Sequence, residues 1–173
     1  MAALADLGVV SAARMIACGE CSSRELIVEL LKSAESARDL NAFISLDAQQ
    51  AIAEADAADR RLSAGAPLGR LDGVPVTFKD NIDVVGLPTT AGSSLLRQHY
   101  PRRDAKVVDV LRASGVIVFG KTGMHEFAFG ATSNNAAFGA IHNPYVQPTS
   151  VCQSYIMRRV SSSLISLGRS ATI

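Results

Sequence analysis

The chain has no excess of charge, no long apolar run and too few cysteines for a disulfide framework. Its 17 basic and 16 acidic residues leave a formal net charge of +1 across 173 residues. Such balance gives no electrostatic footprint for nucleic acid or an anionic membrane surface. No stretch approaches the ~18 apolar residues of a membrane span. Asp6 stands where a secretory leader would carry positive charge, so a cytoplasmic protein is the expectation. Three cysteines cannot all pair within one chain, and Cys18 and Cys21 form a single C-x-x-C without the second pair a four-ligand zinc site needs. They read as small, half-buried thiols.

Several catalytic patterns are missing as well. There is no G-x-S-x-G elbow, and His125-Glu126 lacks the second histidine of H-E-x-x-H. His99, His125 and His142 are scattered and read as surface or packing residues. "GVIVFGKT", Gly115 to Thr122, does satisfy the letters of a phosphate-binding loop. Its four variable positions are Val, Ile, Val and Phe, however, which favour being the strand itself over a nest of exposed N–H groups.

What is present is globular: 48% hydrophobic and 19% charged residues, enough to bury one core. Leu4, Leu7, Val10 and Ala17 recur at near-helical spacing. Ser22 followed by Glu25 forms a capping box ahead of Ile27, Leu30, Leu31 and Ala34. "NAFISL" reads as a short strand, and Ala48, Ile52, Ala55 and Leu62 mark a third helix ending at the glycines and proline of "SAGAPLG". The opening third is thus helical.

Beyond that break the texture changes to short apolar runs. Val74, Val76 and Phe78 alternate as a strand, with Lys79 on its opposite face at its end. Asp104 is placed to cap a helix through Val107, Val108 and Leu111, and "VIVF" reads as a strand covered on both faces. Strand, helix, strand argues for an α/β sheet with a site at strand ends. On pattern alone, Lys79 is an exposed strand-end lysine paired with Asp80 or Asp83.

Two long blocks in order change that reading. "GRLDGVPVTFKDNIDVVGLPTTAGS" and "VIVFGKTGMHEFAFGATSNNAAFGAIHNPY" together resemble the amidase signature family, from about Ser22 to Tyr145. The resemblance implies a mixed α/β sheet flanked by helices, here incomplete, with an N-terminal helical hairpin. It implies hydrolysis of a small carboxylic amide to acid and ammonia by a Ser, cis-Ser, Lys triad, with no metal or organic cofactor. Lys79 matches the lysine base, which must be neutral to act and therefore needs a partly apolar setting. Phe129 falls in the segment the family places along the acyl-binding cleft. Asp80 and Asn81 read equally well as turn residues and receive no catalytic role. The glutamine amidotransferase A subunit shares the lysine block and is a lesser alternative. "MHEFAFGATSNNAAFG" looks closer to the aryl and aliphatic amide hydrolases.

After "HNPY" the resemblance stops. The family continues into a glycine-serine-rich loop carrying the bridging serine, then a nucleophile segment. This sequence reads "VQPTSVCQSYIMRRVSSSLISLGRSATI" instead. Ser161, Ser162 and Ser163 lack the flanking glycines such a loop needs. From Val151 onward there are three arginines and no acidic residue, whereas all 16 acidic residues lie before it. Residues 1–145 are therefore expected to be the N-terminal part of an amidase-signature domain, and 146–173 a non-family tail, out of frame or disordered. Such a fragment is expected to be inactive, and a non-catalytic remnant or interaction fragment is the competing function. Translating the coding DNA past Tyr145 in the other two frames tests the frameshift, which fails if neither frame encodes a glycine-serine-rich loop.

Overall fold

The computed structural model describes residues 4–143 and the backbone of Ile165–Ser166. In chain order its elements are helix α1 (Val9–Ala17), α2 (Ser23–Ser36), strand β1 (Phe43–Leu46), α3 (Ala48–Ser63), β2 (Pro75–Lys79), α4 (Lys106–Ala113), β3 (Ile117–Thr122) and the two-residue β4 (Ile165–Ser166). Short 3-10 turns at Leu4–Asp6, Arg38–Leu40, Ser94–Leu96 and Glu126–Ala128 join them. The anticipated tail, 146–173, otherwise lies outside the described residues.

The helical hairpin forms for local reasons. The capping box closes in full: Glu25 N–H donates to Ser22 Oγ at 3.0 Å, and Ser22 N–H donates to Glu25 Oε2 at 2.8 Å. Two donors at the start of α2 that lack intrahelical partners are thereby satisfied. Asp59 on α3 takes two more, from Ser23 N–H at 2.7 Å and Arg24 N–H at 3.1 Å. Ala51, Ala55 and Ala58 have no exposed surface, so α3 packs tightly through small side chains. Asp47 caps α3 by accepting from Gln50 N–H at 2.9 Å.

The sheet is mixed, in order β1-β3-β2-β4. β1 runs antiparallel to β3, while β2 runs parallel to β3 and β4 parallel to β2. Every residue of β3 is buried, as the apolar run demanded. Alternation splits its side chains between two cores. Ile117 and Phe119 join Leu26, Ile27 and Leu30 beneath the N-terminal helices, with Phe119 edge-on to Phe43 at 5.7 Å between ring centroids. Val116 and Val118 join Val76, Phe78 and Val108 of α4 on the other face.

One helix start differs from expectation. Ala105, not Asp104, is the N-cap of α4, and no side chain caps it. The Asp104 carboxylate is already engaged, accepting from Val85 N–H at 2.5 Å and pairing with Arg112 Nε at 2.9 Å. A long-range contact outcompeted the local one. Glu54 plays a similar linking part, accepting from Arg112 at 3.0 Å and from Val118 N–H at 3.2 Å, next to the irregularity in the β2–β3 register. Among the described residues no helix is long and apolar enough to cross a membrane.

Ser22→Ala removes half of the capping box and is expected to cost about 1 kcal/mol. Urea unfolding should show a lower midpoint at unchanged slope.

Candidate active site

Lys79 closes β2, and parallel strands end their shared edge where α/β proteins commonly hold ligands. Register decides which way it faces. Phe78 lies beside Lys121 and Lys79 beside Thr122, and side-by-side residues on neighbouring strands share a face. Lys121 is therefore on the Phe78 face, and Lys79 is on the other.

The two lysines live under opposite conditions. Lys79 is half-buried, and its ammonium makes no hydrogen bond or ion pair among the described residues. Burial pushes its pKa down from the ordinary lysine value, with no opposing charge contribution. Lys121 has no exposed surface and three oxygen partners: Pro88 C=O at 3.1 Å, Thr89 Oγ1 at 3.1 Å and Asp80 Oδ1 at 3.2 Å. Burial lowers its pKa too, while Asp80 and, more weakly, Asp83 pull it back up.

Asp80, also without exposed surface, organises the loop that follows Lys79. Its Oδ2 accepts from Thr90 N–H at 3.1 Å and from the Thr90 hydroxyl. Its Oδ1 meets Lys121 as a charge contact, without the alignment of a hydrogen bond. The Asp80 backbone extends the strand through N–H to Thr122 C=O at 3.2 Å, and its C=O accepts from Ala91 N–H at 3.0 Å. Pattern reading paired Lys79 with Asp80 or Asp83; Asp80 instead pairs with Lys121, because alternation turns neighbouring side chains apart.

A second loop is fastened to the first. Phe127 N–H donates to Ala91 C=O at 2.7 Å. Asn135 Nδ2 donates to Gly92 C=O at 2.6 Å and Met124 C=O at 3.0 Å, while its Oδ1 accepts from Ala137 and Phe138 N–H. Gly92 sits at φ +70°, and a Cβ there would come within 2.7 Å of Asn135 Nδ2. This buried asparagine escaped the sequence reading; its only signal was its place in a turn-rich stretch. Phe129 follows the Glu126–Ala128 turn and is 89% exposed.

The remaining candidates separate from this centre. "GVIVFGKT" is indeed strand from Ile117 to Thr122, with its lysine inside the sheet. Cys18 is exposed and Cys21 buried, both free. His99 is exposed, and the half-buried His125 ring packs against Gly130. A cavity of about 140 Å³ between β1 and the 123–141 segment is lined by Phe43, Met124, Asn135 and Ile141 among others, but not by Lys79. Among the described residues no group of three or more His, Cys, Asp or Glu is placed to hold a metal ion.

The family model for amidases matches residues 25–154. The chain belongs to the amidase signature family. The match runs past the composition break near Tyr145. In Burkholderia vietnamiensis, the A chain of the glutamyl-tRNA(Gln) amidotransferase is 46% identical over 130 residues, which are 75% of this chain and 26% of that protein. A peptide amidase from Stenotrophomonas maltophilia superposes with a TM-score of 0.75 at 31% identity, over 82% of this chain and 31% of that one. A vestigial protein complex from the origins of an s-triazine catabolic enzyme gives 0.77 at 36% identity, over 81% and 31%. The chain thus spans about a quarter to a third of the amidase-family relatives it matches.

A lysine whose folded pKa is depressed binds fewer protons when folded than when unfolded. Stability should therefore rise with pH between that lowered value and the ordinary 10.5. Lys79→Met is expected to reduce this rise in urea unfolding measured across the window, because Lys121 contributes only its own share.

Proposed function

We propose that this chain carries the base-bearing part of an amide-hydrolysing site, with Lys79 as the base. The observation that carries the reading is a half-buried strand-end ammonium with no counter-ion among the described residues. A neutral amine there can accept a proton from a bridging serine whose peptide bond is cis, while a second serine attacks the amide carbonyl. Ammonia then leaves, and water releases the acid from the acyl-enzyme. No step calls on a metal or organic cofactor. The exposed ring of Phe129, on the segment tied to the Lys79 loop through Phe127 and Ala91, suits the acyl side of a small amide.

In this reading both serines belong to the family's glycine-serine-rich loop and the nucleophile segment after it, neither of which is recognisable after Tyr145. Residues 146–173 contain one glycine, Gly168, and no glycine-serine-rich loop. On this reading Lys79 acts only together with a nucleophile from those family segments. A second reading, as part of the A component of an amidotransferase, is favoured by the 46% identity to the Burkholderia protein. The lysine chemistry is common to both; the amide donor differs.

Purified as it stands, the chain is expected to release no ammonia from simple carboxylic amides or glutamine, and a Lys79-dependent release would overturn the need for the missing segments. Joined to the rest of a family domain, it is expected to hydrolyse amides, and Lys79→Ala should then lower kcat by about 10²–10⁴-fold with KM little changed. Unaltered kcat in that variant would end the base assignment. Activity on glutamine alone would favour the amidotransferase reading.

A further inference from the structure

We propose that Lys121 is a positioning residue for the proposed base, claiming the Asp80 carboxylate and so withholding a counter-charge from Lys79. The inference rests on the reading of Lys79 as a base and goes beyond it. Asp80 is the next residue in the chain and has no exposed surface, so an unneutralised Asp80 anion would act on Lys79 across the strand through a poorly screening interior. An opposite charge without a partner of its own favours the protonated form of a lysine and raises its pKa, by about one unit where the interior screens poorly. A base burdened that way would stay an ammonium.

The geometry removes the burden twice over. Strand alternation sends Asp80 to the Phe78 face, away from Lys79. There Lys121 Nζ lies 3.2 Å from Oδ1, and the two Thr90 donors occupy Oδ2. Whichever partner holds the proton, the Lys121–Asp80 pair carries no net charge. Among the described residues, the charged or titratable groups that follow Lys79 and Thr122 in the segments leaving the two strand ends are Asp83, in the same loop, and His125 and Glu126, beyond β3. Of these, Asp83 acts on Lys121, and none shifts Lys79. Thr122, beside Lys79 on β3, is neutral. A purely structural account of Lys121 leaves the ionisation of Lys79 untouched by its loss; this account does not.

The test is trace acetylation of the 173-residue chain with acetic anhydride over a pH series. Mass spectrometry reads Lys79 against exposed Lys106 as internal standard. In the unmodified sequence Lys79 is expected to react with a midpoint below that of Lys106. Lys121→Met should raise the Lys79 midpoint by about one unit, and adding Asp80→Asn should return it toward the starting value. An unmoved midpoint in folded Lys121→Met, or a double variant shifted as far as the single one, overturns the proposal. If Lys121→Met does not give a native far-UV circular dichroism spectrum, Asp80→Asn alone decides. Its midpoint is expected to stay or fall, and a rise overturns the proposal. A Lys79 midpoint equal to that of Lys106 at the outset would instead sink the base reading itself.

Discussion

A cation and an anion with no exposed surface sit at the end of the sheet, Lys121 on β3 and Asp80 just past β2. Taking each from water costs several kcal/mol even after relaxation, and only good partners offset that cost. Here the partners come from one loop: Pro88 and Thr89 for the ammonium, Thr90 for the carboxylate. The pair therefore does more than join two strands. It dictates the path of residues 80–92, and through the Ala91 and Gly92 carbonyls it also sets where the 124–138 segment runs.

The mixed sheet makes this arrangement possible. Parallel pairing of β2 with β3 brings the ends of both strands to one side, so two distant lysines finish next to one another and face opposite ways. The N-terminal helices cover one face and α4 the other, each large buried side chain contributing about 1.5–3 kcal/mol. Antiparallel β1 widens the sheet and carries Phe43 to Phe119. The result is one lysine held by three oxygens in a dry interior and one at its margin that has no hydrogen bond or ion pair among the described residues, a setting that favours the neutral amine.

Family membership and local chemistry thus agree without being the same argument. Relatives at 31–46% identity fix the fold and the family for this part of the chain. The face assignment of Lys79, its burial and its lack of a counter-ion among the described residues are properties of these residues themselves. Together they describe part of an amidase-signature scaffold with a half-buried lysine at the end of its central parallel strand pair.

Short-range physics was legible in the sequence. Ser22 and Glu25 announce the start of α2, the run Val116–Phe119 can only be interior strand, and Val76 and Phe78 give the alternation that leaves Lys79 at a strand end. These depend on neighbours within a few positions. What the letters could not give is which charge meets which: Asp80 adjoins Lys79 but pairs with Lys121, and Asp104 precedes a helix but serves Val85 and Arg112. Asn135 and Glu54 likewise take their meaning from groups far along the chain. Local periodicity and capping determined the elements because backbone sterics and hydrogen bonding act over one turn or one pleat. The tertiary structure alone decided the ion pairs, because strand register fixes faces and only the packed sheet brings remote side chains within a few ångströms.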